Sequence, residues 1–407
     1  MSQSATTVVH VHVDLDGEAI LAGTAYVSER RGAVSTSFDY EASYQAARSS
    51  YALGPDLSLT MTRHHRSGLP GAFSDSAPDR WGRNLIRKRI QAGSGQAGRS
   101  REIAEVDYLL GVSDVTRQGA LRFTGEPEGP FLAADADVPR LLELPRLLAA
   151  ADQVGADGSD DMAAVKVLLD AGSGSLGGAR PKASVLDDGR LLIAKFPHMN
   201  DEWNVMAWEK TALDLAGLAG IHVPRRRLIE VGGRSVLLLD RFDREGEARI
   251  GYISAMTLVE GADGQEFDYI ELAEALAEHG SSVRDDLAQL WRRIAFSVVM
   301  NNTDDHLRNH GFLRRGSGWQ LSPAFDINPE PDPAKSRVTS IGYANDAAGC
   351  REALFQVADH FGLDATATES TFGEVVKATE PWRQVASDNG IGEAELGRFG
   401  EVLDRFR

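Results

Sequence analysis

The densest chemistry in the chain lies in Asn301-Asn302-Thr303-Asp304-Asp305-His306-Leu307-Arg308-Asn309-His310. Asp304 and Asn309 stand five apart, so one carboxylate can accept a proton from an attacking hydroxyl while an amide oxygen holds a magnesium ion. The chain then runs through Gly311 to Leu313, turns at Gly316-Ser317-Gly318, returns through Trp319 to Leu321 and reaches Phe325-Asp326-Ile327-Asn328. That hairpin brings Asp326 back beside the loop as a second hard oxygen ligand, able to bridge magnesium to phosphate oxygens. Asp305 is an alternative proton acceptor, but only Asp304 has the five-residue offset to Asn309. His306 and His310, four apart, could meet on a helix face as zinc ligands, yet no third ligand has a fixed spacing to them. His306 reads chiefly as a pin for the loop, with a phosphate contact as its second role.

A second group of residues lies upstream. Gly172-Ser173-Gly174-Ser175-Leu176-Gly177-Gly178 has G-x-G-x-x-G spacing, which lets backbone N–H groups approach phosphate oxygens with no side chain between. A dinucleotide-binding fold needs a helix next, whereas here Pro181 and an Asp187-Asp188-Gly189 turn follow. Lys195 ends the second strand of that hairpin, and Glu209 lies on the next helix. This is the order of the phosphate-binding lysine and its glutamate partner in a protein-kinase small lobe. Taken in sequence, the lysine, the glutamate, the D-x-x-x-x-N loop and the late aspartate assemble the parts of phosphoryl transfer.

The elements that must carry these residues follow from patterning. Residues 8–13, 25–27 and 35–38 alternate as strands of a small sheet, and helices are expected from Pro78-Asp79-Arg80-Trp81 and over 104–111. Residues 124–130, rich in Gly, Pro and Glu, mark a boundary before a helical stretch over 138–150. Strands over 182–186, 190–196 and 235–239 surround a helix over 205–219 that Gly220 stops. A long helix over 285–300 precedes the loop, and helices dominate to the end, including 353–361 and 372–378. This divides the chain into 1–130, 131–245 and 246–407. The basic run Arg80, Arg83, Arg87, Lys88, Arg89 reads first as a solvated helix face and second as a partner-binding patch.

Composition bounds the rest. The 407 residues are 42% hydrophobic and 25% charged, ordinary globular usage. No stretch has the roughly 20 apolar residues of a membrane-spanning helix. The first residues lack a signal-peptide pattern, and one cysteine, Cys350, excludes an internal disulfide, so a cytoplasmic protein is expected. A net charge of −17 opposes broad binding to nucleic acid or anionic membrane.

The chain resembles the HipA kinases, toxin components of bacterial HipBA-type toxin–antitoxin modules. The resemblance is carried by Gly71-Ala72-Phe73-Ser74-Asp75-Ser76-Ala77-Pro78-Asp79-Arg80-Trp81-Gly82-Arg83, Gly119-Ala120-Leu121-Arg122-Phe123, Gly178-Ala179-Arg180-Pro181-Lys182-Ala183, Lys195-Phe196-Pro197, Asp240-Arg241-Phe242-Asp243-Arg244, Thr303 to Asn309, and Phe325-Asp326. It implies an α+β, protein-kinase-like fold: a β-rich N-terminal subdomain, a small sheet-containing lobe and a mostly helical C-terminal lobe, with the active site between lobes.

The resemblance also implies ATP and Mg2+ as cofactors and a serine or threonine of a protein as acceptor, aminoacyl-tRNA synthetases being the family's type of target. Asp304 would be the catalytic base, Asn309 and Asp326 metal ligands, and Lys195 a phosphate contact supported by Glu209. Gly177, Gly178, Ala179, Arg180, Pro181 and Lys182 would cover the nucleotide. Asp240, Arg241 and Phe242 would form the hinge that meets adenine, with Asp240 where the family has glutamate. Ser175 falls where family members carry an autophosphorylated serine. Phosphate there would repel ATP from the loop. The implied partners are a HipB-like helix-turn-helix antitoxin and, mainly through it, operator DNA, with no membrane. A small-molecule phosphotransferase and a non-catalytic antitoxin-binding co-repressor are the alternatives.

Overall fold

The computed structural model describes residues 6–30, 32–94, 103–134, 138–155, 161–173 and 180–406. The chain divides into two compact units, each discontinuous in sequence: residues 1–200 with 230–253, and residues 201–229 with 254–407. The strand Arg226–Val231 carries the chain from one to the other. Helix and sheet are mixed in an α+β architecture. Among the described residues, no helix is long and apolar enough to cross a membrane.

The first unit opens with three strands, Thr6–Leu15, Glu18–Arg30 and Ala33–Tyr40. They are longer than the short runs the sequence suggests, because Asp16 and Gly17 take φ of 55° and 90° and close a tight hairpin. Joined by Arg63–Ser67 and Leu121–Thr124, they form a five-stranded antiparallel sheet in which the opening strand lies between the second strand and Leu121–Thr124. Val9, Val11 and Val13 alternate into the core and are at most 2% exposed. A register shift between Val11 and His12 interrupts the ladder without exposing that face. Phe38, Phe73 and Phe123 interlock edge-to-face at 5.6 and 5.8 Å between centroids. Helix Arg80–Ser94 adds Leu85 and Ile86 to the core. Its basic face is partly engaged within the chain: Arg83 makes two 2.7 Å bonds to Glu105, and Arg89 donates to the Gly111 carbonyl.

The helix expected from 138 begins at Leu141 as a 3-10 turn and continues as Leu144–Gly155. Residues 138–140 are instead extended, since the Pro139 carbonyl accepts from Leu186 N–H at 2.8 Å and Arg140 bridges to Leu186. The hairpin of Lys182–Asp187 and Arg190–Lys195 closes through Asp188 and Gly189 at φ of 48° and 75°, the mirror-image turn that an Asp-Gly pair favours. Arg190–Lys195 then pairs antiparallel with Arg234–Asp240.

A knot of buried charge holds the segment after that strand to residues 114–122. Asp243 accepts from Gly119 N–H at 2.8 Å and is paired with Arg241 at 2.6 Å and Arg244 at 2.9 Å. Arg241 also donates to the Thr116 carbonyl at 2.5 Å. Asp114 receives Arg122 at 2.5 Å and Arg249 at 3.0 Å. Arg117, fully buried, donates to the carbonyls of Ser76, Leu109 and Val112, each at 2.9 Å. Burial opposes ionisation of Asp243, but Arg241, Arg244 and the Gly119 amide overcome it and hold its carboxyl well below the usual carboxylate range.

The second unit is helical around Val283–Val299, whose Leu290, Trp291, Ile294 and Phe296 are at most 1% exposed. It also holds helices Val205–Leu218, Ala255–Leu258, Tyr269–His279, Ala347–Gln356, Ala365–Thr379, Trp382–Asp388 and Glu393–Leu403. The expected helix over 353–361 is two pieces, Ala347–Gln356 and the 3-10 turn Ala358–Phe361.

Removing one partner of a buried ion pair strands the other's charge, at a cost of about 3–5 kcal/mol. Asp243→Ala is therefore expected to lower the melting temperature by on the order of 10 °C, measured by calorimetry. The exposed pair Arg63–Asp39, with Arg63 64% exposed, should change it by no more than a few degrees when Arg63 is replaced by alanine.

Candidate functional site

The site in the second unit begins where the long helix ends. Asn301 adopts φ of 51°, the left-handed conformation that asparagine tolerates. Its N–H donates to the Val298 carbonyl at 3.3 Å, and Asn302 N–H donates to Ser297 at 2.9 Å. These two bonds are the Schellman pattern that stops a helix, so the chain leaves Val299 in a fixed direction into residues 303–310. The Asn301 amide also donates to the Glu330 carbonyl at 2.6 Å. Val338 N–H donates to the Thr303 carbonyl at 2.9 Å.

The two neighbouring aspartates have opposite environments. Asp304 is exposed, whereas Asp305 is 6% exposed. Asp305 accepts from Tyr269 Oη at 2.5 Å and Ser297 Oγ at 3.1 Å, and its other oxygen lies 3.0 Å from His310 Nε2. Thr339 Oγ1 donates to the Asp305 carbonyl at 2.7 Å. Burial alone would raise the Asp305 pKa, but His310, Arg337 and the Tyr269 hydroxyl more than offset it and hold the carboxyl well below its ordinary value. Asp305 is committed to the interior by these contacts, and of the two carboxylates Asp304 is the one open to solvent. His310 is thus used beside Asp305. His306 is half-buried and starts the 3-10 turn Leu307–Asn309, with its carbonyl accepting from Asn309 N–H at 2.8 Å.

The Asn309 amide nitrogen donates to the Asp304 carbonyl at 3.2 Å, leaving the amide oxygen as a hard donor. Strands Gly311–Arg315 and Gly318–Leu321 pair antiparallel. The long helix holds this hairpin: Asp286 accepts from Leu321 N–H at 3.1 Å, and Arg293 donates to the Ser322 carbonyl. Asp326 follows at φ of 57°, an unusual backbone for a residue with a side chain. Asn328 flanks it, donating from its amide to Asp326 Oδ1 at 3.4 Å and from its backbone N–H to Asn302 Oδ1 at 3.2 Å. Carboxylate and amide oxygens are the donor chemistry magnesium prefers, so Asn309 and Asp326 fit that ion.

Glu209 lies in helix Val205–Leu218 and is 1% exposed. The helix is capped by Asn204 and anchored by Trp208, which stacks on Phe399 at 3.9 Å and donates to Glu395 at 3.0 Å.

In the first unit Lys195 closes its strand at 8% exposure. Lys182 is 2% exposed and forms an ion pair with Asp79 at 2.6 Å. Phe196 N–H donates to the Pro181 carbonyl at 2.9 Å, extending the hairpin ladder, and Arg180 is half-buried. Ser175, Gly177, Gly178 and Ala179 lie outside the described residues. Asp240 ends its strand with its carboxylate on Arg190 at 2.6 Å, while Arg241 N–H donates to the Leu191 carbonyl at 3.2 Å. Arg241 directs its side chain into the charge knot, and Phe242 is half-buried, 6.4 Å from Tyr252 between ring centroids. Asp79 and Asp243 fall within the motifs that carry the resemblance but receive no role from the sequence, and Tyr269 is not singled out there.

The carboxyl of Asp305 is depressed in the folded protein, so between its folded and unfolded pKa values the unfolded chain binds more protons. Its contribution is complete above about pH 4–5 and is lost as pH falls further. Asp305→Asn should lower the melting temperature at pH 7 and flatten its fall below about pH 4. An unchanged acid limb in calorimetric scans would show that Asp305 carries no such linkage.

Comparison with known proteins gives two family matches: the HipA-like C-terminal domain over residues 174–382, just over half the chain, and the HipA N-terminal domain over 19–103. Among solved structures, HipA of Shewanella oneidensis, from a complex of HipA, HipB and operator DNA, superposes with a TM-score of 0.68. It is 16% identical, over 98% of this chain and 95% of that one. The Helicobacter pylori proinflammatory kinase CtkA aligns over 53% of this chain and 93% of its own, at 16% identity and a TM-score of 0.37. A Haemophilus influenzae protein named “Putative kinase” is 24% identical over 178 residues, 39% of this chain. The match spans 51% of that protein, about half the length of this curated relative.

Proposed function

Taking as premise that the chain belongs to the HipA family, we propose that it is an ATP- and magnesium-dependent kinase acting on a serine or threonine hydroxyl of a protein. The observation that carries this reading is the contrast between Asp304 and Asp305: the carboxylate at the five-residue offset from Asn309 is the exposed one. Asn309 and Asp326 would hold magnesium on the nucleotide phosphates. That ion would supply charge neutralisation for the transferring phosphoryl group.

Asp304 orients the acceptor hydroxyl and takes its proton. Lys195 neutralises phosphate charge, and buried Glu209 belongs to the same machinery in this reading. The 3-10 turn over Leu307–Asn309 holds the Asn309 oxygen at a fixed offset from the base. The work is positioning and electrostatics, with little covalent chemistry asked of the side chains.

Partners follow from the same family. The Shewanella relative was crystallised with HipB and operator DNA, which supports a HipB-like antitoxin for this chain. A net charge of −17 favours DNA contact made mainly through that partner. Ser175 is the candidate for self-phosphorylation, because an added phosphate within a glycine-rich phosphate loop would repel ATP and switch the protein off.

Intact-mass spectrometry after incubation with Mg-ATP tests this. The wild type should gain phosphate, and Asp304→Ala and Ser175→Ala should not. Removing the base should slow transfer by about 10²–10⁴-fold while Mg-ATP affinity stays within a few-fold. Asn309→Ala and Asp326→Ala should instead lose magnesium-dependent nucleotide binding in calorimetry. No phosphate gain and no ATP binding by the wild type would overturn the proposal in favour of a non-catalytic co-repressor.

A further inference from the structure

The hairpin register sets Lys182 directly opposite Lys195, so both side chains leave the same face of the sheet with Cβ atoms about 5 Å apart. Like charges in that arrangement repel. Both residues are also buried, at 2% and 8% exposure, where water screens little. Such a doublet needs a counter-charge close by.

Asp79 meets Lys182 with one carboxylate oxygen at 2.6 Å, the two side chains 7% and 2% exposed. Its other oxygen accepts from Gly82 N–H at 2.6 Å at the start of helix Arg80–Ser94. The carboxylate is therefore anchored by a helix terminus before it reaches the lysine. Around Lys182 the backbone is tied as well. Ser173 Oγ donates to the Lys182 carbonyl, and Ser184 N–H donates to the Ala171 carbonyl at 2.9 Å. Gly172, at φ of 65°, lies so close to Thr116 that a Cβ there would collide with it. The residues on both sides of 174–179 are thus tied to one another, and Asp79 and Thr116 from the N-terminal region touch them.

We infer that Asp79 is a positioning residue: it fixes Lys182 as the pin at the base of the glycine-rich segment, and leaves Lys195 as the lysine that meets phosphate. Lys182 is then no phosphate ligand, in contrast to its place in the nucleotide cover expected from the family. This rests on the nucleotide reading above and deepens it, because it makes the N-terminal region a working part of the phosphate site.

Calorimetric binding of Mg-ATP to the full chain, with melting temperatures alongside, tests the inference. Asp79→Asn is the informative single change, since asparagine keeps a capping oxygen for Gly82 and removes only the charge. It should shift Mg-ATP binding by about tenfold, because Lys182 loses the carboxylate that holds it opposite Lys195, whereas Asp79→Asn combined with Lys182→Met, neutral at both positions, should return binding to within about threefold of wild type. Lys195→Met should lose binding. If the double variant binds as poorly as Lys195→Met, Lys182 is itself a phosphate ligand and the inference is wrong. It is equally wrong if Asp79→Asn binds like wild type. Should Asp79→Asn alone fail to fold, the double variant, neutral at both positions, decides. A wild type that does not bind Mg-ATP would instead sink the nucleotide reading itself, an outcome visible in the wild-type arm alone.

Discussion

The carboxylate of Asp243 is almost entirely shut off from water, so its charge is tolerable only if the protein supplies what water would have supplied. It does so with two guanidinium groups and the Gly119 amide. Those partners have sequence neighbours, and that is why the constraint spreads. Arg241 reaches Thr116, Arg244 reaches the Arg117 carbonyl, and Arg249 shares Asp114 with Arg122. Gly119 must stay a glycine in this arrangement, at φ of 75° with Tyr252 Cβ 3.2 Å from where its own Cβ would stand. One buried acid therefore fixes the end of the strand Arg234–Asp240 against the loop that feeds the N-terminal sheet. Hydrophobic packing alone would allow sliding between such surfaces; hydrogen-bonded guanidinium forks do not, because their geometry is planar and directional.

How much of this could be read from the amino-acid sequence depended on the distance over which each interaction runs. The helix stop at Asn301, the Asp188-Gly189 turn and the five-residue offset from Asp304 to Asn309 are local. Each requires only a few neighbouring side chains and a known backbone preference, and each is legible. Spacing singles out Asp304, but the different surroundings of the two aspartates are not legible: Asp305 is walled in by Tyr269, Ser297 and Thr339, which lie up to 36 residues away. The Lys182–Asp79 pair spans 103 residues, and no periodicity or motif spacing encodes a contact of that kind. The strand lengths of the N-terminal sheet were underestimated for another reason. Alternation in the strand Glu18–Arg30 is blurred by Gly23, placed where Phe38 and the Asp39 carbonyl come so close that no Cβ would fit.

Two pairs of like residues show one solution to a common problem. In the proposed function the aspartates would meet a hydroxyl proton and the lysines lie near phosphate, and each charge must be held still. In Asp304-Asp305 the second carboxylate is enclosed by hydrogen bonds, which fixes the backbone of the first while leaving that one exposed. In the Lys182–Lys195 pair, one ammonium is tied to an aspartate anchored on a helix terminus. Preorganisation of this kind is worth more to phosphoryl transfer than an extra contact, because the transition state differs from the ground state mainly in where charge sits. A mobile lysine or carboxylate would have to be ordered at the moment of reaction, and that ordering would be subtracted from the binding energy of the transition state. Ordering it beforehand with a twin of the same charge costs folding stability, and the buried arginine–aspartate knot is one place in the first unit where geometry is held firmly enough to bear that cost.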